Sequence, residues 1–109
     1  MLTWLLLAGA ILTEVGGTLA LRASEGFSKL LPSLAVVVGY VISFVLLAVV
    51  LDRGLPVGVA YAIWAGIGVA LVAVLGRFLF DDPLTALSAV GIVLIIAGVV
   101  LVESAAEAH

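Results

Sequence analysis

Little in this chain is charged, and even less is reactive. Of its 109 residues, four are Lys or Arg, seven are Asp or Glu, and none is cysteine. Without cysteine there is no disulfide framework and no thiolate metal or redox chemistry. The four basic residues form no cluster, which argues against a nucleic-acid partner. The one histidine, His109, is terminal. No nucleophile–base pair and no metal-ligand cluster is visible, so the expectation is neither an enzyme nor a cofactor-dependent protein. Period-2 alternation is missing from the long apolar runs, which argues against strands.

What remains is hydrocarbon. Hydrophobic residues make up 66% of the chain, and the mean hydropathy is +1.50. A soluble domain this small has too much surface for its volume to hide that much apolar area. Lipid is the natural solvent. Four apolar segments follow, at about 2–21, 33–51, 57–79 and 84–102. Each approaches the roughly 20 residues that a helix needs to cross the hydrocarbon core. Between them stand Arg22–Lys29, Asp52–Pro56 and Asp81–Pro83, rich in charge and helix breakers. Pro32 suits the start of the second helix. Glu103–His109 reads as a short polar tail. The first segment lacks the basic leading residues of a signal peptide and is interrupted by an acid, so it reads as a retained span. The expected architecture is one all-α, four-helix transmembrane domain over residues 1–109. Connections this short leave function to be built from helix faces inside the membrane.

Glu14 is the charge that matters. It is the only charged side chain between Met1 and Leu21, roughly 18 Å along the helix from Leu2 and roughly 12 Å from Arg22 at about 1.5 Å per residue. An ionised carboxylate at such depth costs about 3 kcal/mol on insertion scales. Residues retained against that cost usually face a protein interior or a wet cavity. Leu7, Ala10, Ile11, Glu14, Gly17 and Thr18 share one face, and the small residues at 10 and 17 are expected to leave space beside the acid. A protonated carboxylate held in a helix contact is the alternative.

On the third span, Gly58, Tyr61, Trp64, Ala65 and Gly68 form one stripe. A carboxylate with aromatic faces suits a lipophilic cation, through charge pairing and cation–π attraction. The aromatics can also be read as interfacial belt residues. Gly66 and Gly68 either permit a bend or allow close packing. Tyr40, Ser43, Phe44 and Leu47 share a face of the second span that is a candidate for the same cavity. On the fourth span, Gly91, Leu94, Ile95 and Gly98 make a groove for close helix contact, read as the assembly element, with packing inside one protomer as the alternative. Arg22 reads chiefly as a snorkelling anchor.

These residues resemble the small multidrug resistance family of bacterial transporters. The likeness lies in Ala10–Val15, in Ser24–Leu30 with Pro32-Ser33, in Ala60–Gly68, and in Gly91, Leu94, Ile95 and Gly98. The resemblance implies a four-helix protomer in the bacterial inner membrane that works as an antiparallel dimer. It also implies exchange of protons for cationic substrates, with Glu14 as the shared carboxylate and Tyr61, Trp64 and Tyr40 as binding-site aromatics. Thr18, Ala10, Ser43 and Phe44 complete the expected site, and the fourth span is the expected dimer helix. Guanidinium exporters of the family typically carry a tryptophan soon after the glutamate. Val15-Gly16-Gly17-Thr18 resembles the drug-exporting branch instead. The second connection is one residue longer than in the best-known drug exporter.

The expectation is thus proton-coupled export of hydrophobic or quaternary ammonium cations by a dimer of this chain with itself or a related chain. Competing readings are export of guanidinium-like or polyamine cations, a silent subunit of a heterodimer, and a rotor proteolipid. The last normally has two helices with the acid in the later one. Arg22, Lys29 and Arg77 lie toward one side of the membrane and Arg53 toward the other. That weak bias favours dual insertion and an antiparallel homodimer.

Overall fold

A computed structural model describes residues 1–107, with Glu107 described by its backbone alone. Four helices account for nearly all of it: α1 (Leu2–Ala23), α2 (Leu30–Asp52), α3 (Val57–Phe80) and α4 (Ala86–Glu107). All four are long and apolar enough to cross a membrane.

Three boundaries differ from the sequence reading, each for a local reason. α2 starts at Leu30, because the Lys29 carbonyl already accepts the Ser33 N–H (3.1 Å) and the Ser33 hydroxyl (2.6 Å). Pro32 is tolerated there because N–H groups in a first turn have no intrahelical partner to lose. α4 starts at Ala86, since the Thr85 hydroxyl caps it by accepting the Ser88 N–H at 3.1 Å. The segment read as a polar tail is helical to Glu107, as its alanines and glutamates favour. Ala108 and His109 lie outside the described residues.

α1 and α2 cross closely because glycine faces glycine. A Cβ on Gly39 would stand 2.8 Å from the Thr13 carbonyl and 3.1 Å from Gly17 Cα, so only hydrogen fits. The buried Ser43 hydroxyl donates to the Ala10 carbonyl across this crossing at 2.7 Å. α3 covers another face of α1, where Leu7, Ile11 and Val15 join Val59, Ala60 and Ile63 in the buried core. α4 touches α3 through Ile95 and Val99, which lie against Gly66.

Apart from Ala106, which also packs against the core, α4 is largely open. None of its spanning residues is buried in the protomer, and a Cβ at Gly91 or Gly98 would meet open space. The protomer exposes 6726 Å², against roughly 5,700 Å² for a soluble monomer of this mass. Its extents are 47 × 34 × 19 Å. The long axis spans a bilayer, while the short one is less than two helix diameters of about 10–12 Å.

The first connection is organised by Ser24, which is fully buried. Its hydroxyl donates to the Leu21 carbonyl (2.7 Å) and accepts the Phe27 N–H (3.0 Å). Glu25, Gly26 and Phe27 all take positive φ inside this turn. Lys29 pairs with Glu25 (2.8 Å) and holds that exposed carboxyl below its usual range, by hydrogen bond first and charge second.

Candidate functional site

A cavity of about 480 Å³ lies between α1 and α3 and is lined by Glu14, Thr18, Tyr61, Trp64, Ala65 and Gly68, with valines and Ala73 beyond. Its volume falls in the range of small-molecule sites. Most of the wall is hydrocarbon and ring surface, so the carboxylate is the dominant polar group.

Glu14 is held rather than loose. The Thr18 hydroxyl donates to Glu14 Oε1 at 2.8 Å, and the Tyr40 hydroxyl is 2.8 Å from the same Thr18 oxygen. One α2 tyrosine therefore reaches the carboxylate through one α1 threonine. The second oxygen, Oε2, faces α3, where a Cβ on Gly68 would lie 3.2 Å away. The i, i+4 spacing of Glu14 and Thr18 puts both on one face and lets the hydroxyl reach back one turn.

The aromatic side is a chain of three rings. Trp64 meets Phe44 of α2 edge to face at 5.4 Å and Tyr61 of its own helix, tilted, at 5.6 Å. Tyr61 is 61% exposed, and it also lines a cleft of about 200 Å³ where α2 and α3 meet little. The indole N–H of Trp64 is buried and has no acceptor among the described residues. A buried donor without an acceptor costs roughly 1–3 kcal/mol.

Several residues grouped with this site by sequence do other work. Ala10 and Gly17 are buried in the α1–α2 crossing and do not flank the carboxylate with free space. That space comes from Ala65 and Gly68 of α3. Ser43 is committed to the Ala10 carbonyl and does not line the cavity. Phe44 reaches it only by supporting Trp64. Gly66 and Gly68 both serve close approach, one to α4 and one to Glu14, within a helix unbroken from Val57 to Phe80. Gly39, which sets the depth of the α1–α2 contact, escaped notice because a lone glycine in an apolar run has no pattern. Its adjacency to Tyr40, opposite Gly17, was the available signal.

Arg22 does more than snorkel. It forms a two-pronged ion pair with Asp82 at 2.8 and 3.0 Å and lies over the Phe80 ring at 4.9 Å. This ties the end of α1 to the connection between α3 and α4. Arg77 pairs with Asp81 in the same connection.

A family profile matches most of this chain. The profile described as "Small Multidrug Resistance protein" covers residues 2–95. The chain belongs to the small multidrug resistance family. Among its relatives is the quaternary ammonium compound-resistance protein QacE of Escherichia coli, 47% identical over 108 residues, covering 97% of each chain. The multidrug resistance protein EbrB of Bacillus licheniformis is 47% identical over 98 residues, covering 90% of this chain and 82% of that one. The multidrug resistance protein mmr of Mycobacterium leprae is 40% identical over 108 residues, covering 99% of this chain and all of that one. As a small multidrug resistance transporter with four spanning helices and bacterial relatives, it is a multi-pass protein of the inner membrane.

Proposed function

We propose that this small multidrug resistance protein exports hydrophobic and quaternary ammonium cations in exchange for protons, using Glu14 as the shared binding group. One observation carries the reading: the Glu14 carboxylate stands in a cavity of about 480 Å³ whose other walls, apart from Thr18, are mostly hydrocarbon and the Tyr61 and Trp64 rings. Such a wall lowers the local dielectric and strengthens both charge pairing and cation–π attraction. It offers few hydrogen bonds to a guanidinium or polyamine, which favours greasy cations over those alternatives.

Coupling follows from exclusion. A proton and a cation both neutralise the same carboxylate, so one leaves as the other binds. The protomer is too thin to surround a substrate, and α4 offers Gly91, Leu94 and Gly98 on a face unused inside the protomer. Two chains would then bring two Glu14 residues to one chamber. Ile95 divides its contacts, since it also touches α3. Tyr40 and Thr18 hold the carboxylate, Tyr61 and Trp64 take the cation, and Phe44 and Ser43 position their neighbours. Alternating access comes from rocking of the two protomers about that chamber. The working unit is an antiparallel homodimer of single-domain protomers, and catalytic chemistry has no part in it.

The test is transport into liposomes holding only this chain, driven by an imposed proton gradient, with tetraphenylphosphonium and guanidinium as competing probes. Uphill movement of the phosphonium, lost in Glu14→Gln, is expected. Uphill export surviving in Glu14→Gln would sink the shared-site mechanism, and preference for guanidinium would move the chain to the other branch. Equal signal from inside-only and outside-only C-terminal reporters is expected of dual insertion. A one-sided signal with no transport by the purified chain would indicate an obligate heterodimer.

A further inference from the structure

One half-buried carboxylate has no part in the Glu14 cavity. Glu103 sits where α4 ends, on the membrane side where α1 and α3 begin. A glutamate needing only water would belong on the outer stripe of α4 with Leu94, Gly98 and Leu101. Glu103 instead continues the inner stripe, at i+4 from Val99 and i+8 from Ile95, the two residues that meet Gly66. One turn beyond that contact, Glu103 lines a separate cavity of about 130 Å³ with Trp4, Leu55, Pro56, Val59 and Ala106.

Glu103 is in none of the ion pairs among the described residues. The three ion pairs among the described residues use Glu25, Asp81 and Asp82, all toward the opposite side of the membrane. Arg53, the basic side chain on Glu103's side, donates to the Thr3 hydroxyl at 2.9 Å instead. The last carbonyls of α4 add the negative end of a helix dipole to the same place. A carboxylate, an indole and a helix C-terminus therefore converge on a small apolar-walled space. Each of the three attracts positive charge, the indole through its ring face. The space is about 130 Å³ against about 480 Å³ at Glu14, which suits an ammonium head with small substituents better than a polycyclic dye.

We propose that Glu103 and Trp4 form a second, peripheral site for an alkylammonium head group at this face of the membrane. The occupant is either a free ammonium ion or the ammonium of an ethanolamine or choline lipid, since both present the same chemistry. The site is independent of the Glu14 reading, and its test is run with the central site silenced.

The experiment follows the Trp4 indole ¹H–¹⁵N signal of the full chain in lipid nanodiscs, assigned by its loss in Trp4→Phe. The background is Glu14→Gln, the probe is tetramethylammonium chloride, and sodium chloride is the control. In phosphatidylglycerol discs, which carry no ammonium, a saturable shift is expected that sodium does not produce. Glu103→Gln and Glu103→Ser should each raise the midpoint at least tenfold. Tetraphenylphosphonium binding within twofold of the parent, measured with Glu14 intact, certifies that each variant is folded, so a defect in one leaves the other to decide. Replacing half the lipid with phosphatidylethanolamine separates the sources. A severalfold higher midpoint assigns the site to the lipid head group, and an unchanged midpoint assigns it to the free cation. A shift that never saturates, or the same midpoint without the Glu103 carboxylate, overturns the proposal.

Discussion

Two glycines two residues apart on α3 offer a sharp test, because one methyl group added to each should do opposite things. At Gly68 the new Cβ lies 3.2 Å from Glu14 Oε2, tighter than ordinary contact. The carboxylate must retreat by a few tenths of an ångström, yet its other oxygen is held by Thr18 at 2.8 Å. A hydrogen bond to a charged group contributes roughly 1.5–3 kcal/mol. Weakening it by about half costs ~1 kcal/mol of site organisation, or about fivefold to tenfold in cation affinity. The helix itself gains about 1 kcal/mol from replacing glycine with alanine. Gly68→Ala should therefore melt no lower than the parent while binding tetraphenylphosphonium several-fold more weakly. At Gly66 the new Cβ collides with Val99 Cγ2 and stands 3.3 Å from Ile95 Cγ2. Overpacking of roughly 1–3 kcal/mol outweighs the same helix gain, so Gly66→Ala should be less stable and bind within twofold of the parent. Calorimetric titration and thermal unfolding by circular dichroism in one detergent read both quantities. Parental affinity in Gly68→Ala would show that Gly68 does not confine the carboxylate. Equal loss of affinity in both variants would show that general packing, and not the site, was disturbed.

Trp64→Ala should weaken aromatic cations by about 2 kcal/mol, the worth of a desolvated cation–π contact, whereas Tyr61→Phe keeps its ring face and should be milder than Tyr61→Ala; unchanged binding in Trp64→Ala would return these rings to a belt role. Gly91→Leu and Gly98→Leu should each insert and fold but crosslink poorly as dimers, because both fill a face that is empty in the protomer; undiminished dimers in both would move the interface off α4. Arg22 and Asp82 are about half exposed, so a double-mutant cycle of Arg22→Ala and Asp82→Ala should give a coupling of only about 0.2–1 kcal/mol in stability, and a value several times larger would mean that the pair is shielded from water.

The four helices were legible because lipid imposes one rule along each whole span, and length with apolar content suffices to see it. Glu14 was legible for the converse reason, as one costly exception to that rule. Tyr61, Trp64 and Thr18 could be assigned to faces from helical spacing alone. What spacing cannot give is which face meets which helix. Ala10 and Ser43 sit at suitable spacings from Glu14 and Tyr40, yet rotation of the α1–α2 crossing turns them into each other. Gly68 supplies the room expected of Ala10 and Gly17, because α3 and not α2 borders the carboxylate. Glu103 was read as the start of a polar tail, since no local pattern reveals that its stripe is the one packed on α3.

The two hydrophilic turns on either side of α3 differ in how much change they can absorb. Gly54, at φ +102°, opens on empty space, and Arg53 needs only the Thr3 hydroxyl. At the other end Asp82 serves several contacts within one residue: its carboxylate grips Arg22, its N–H reaches the Gly76 carbonyl at 3.2 Å, and its Oδ2 would stand 3.0 Å from any Cβ at Gly76. An insertion at Gly54 meets no close neighbour there and has only Leu55 and Pro56 after it to keep in place, whereas one residue added after Asp81 breaks the register of all three. Insertions and deletions drifting through such a gene are therefore filtered unequally, and the Asp52–Pro56 turn is where length can vary. For the same reason it is the place to splice in an epitope or a fluorophore without disturbing the helices around Glu14.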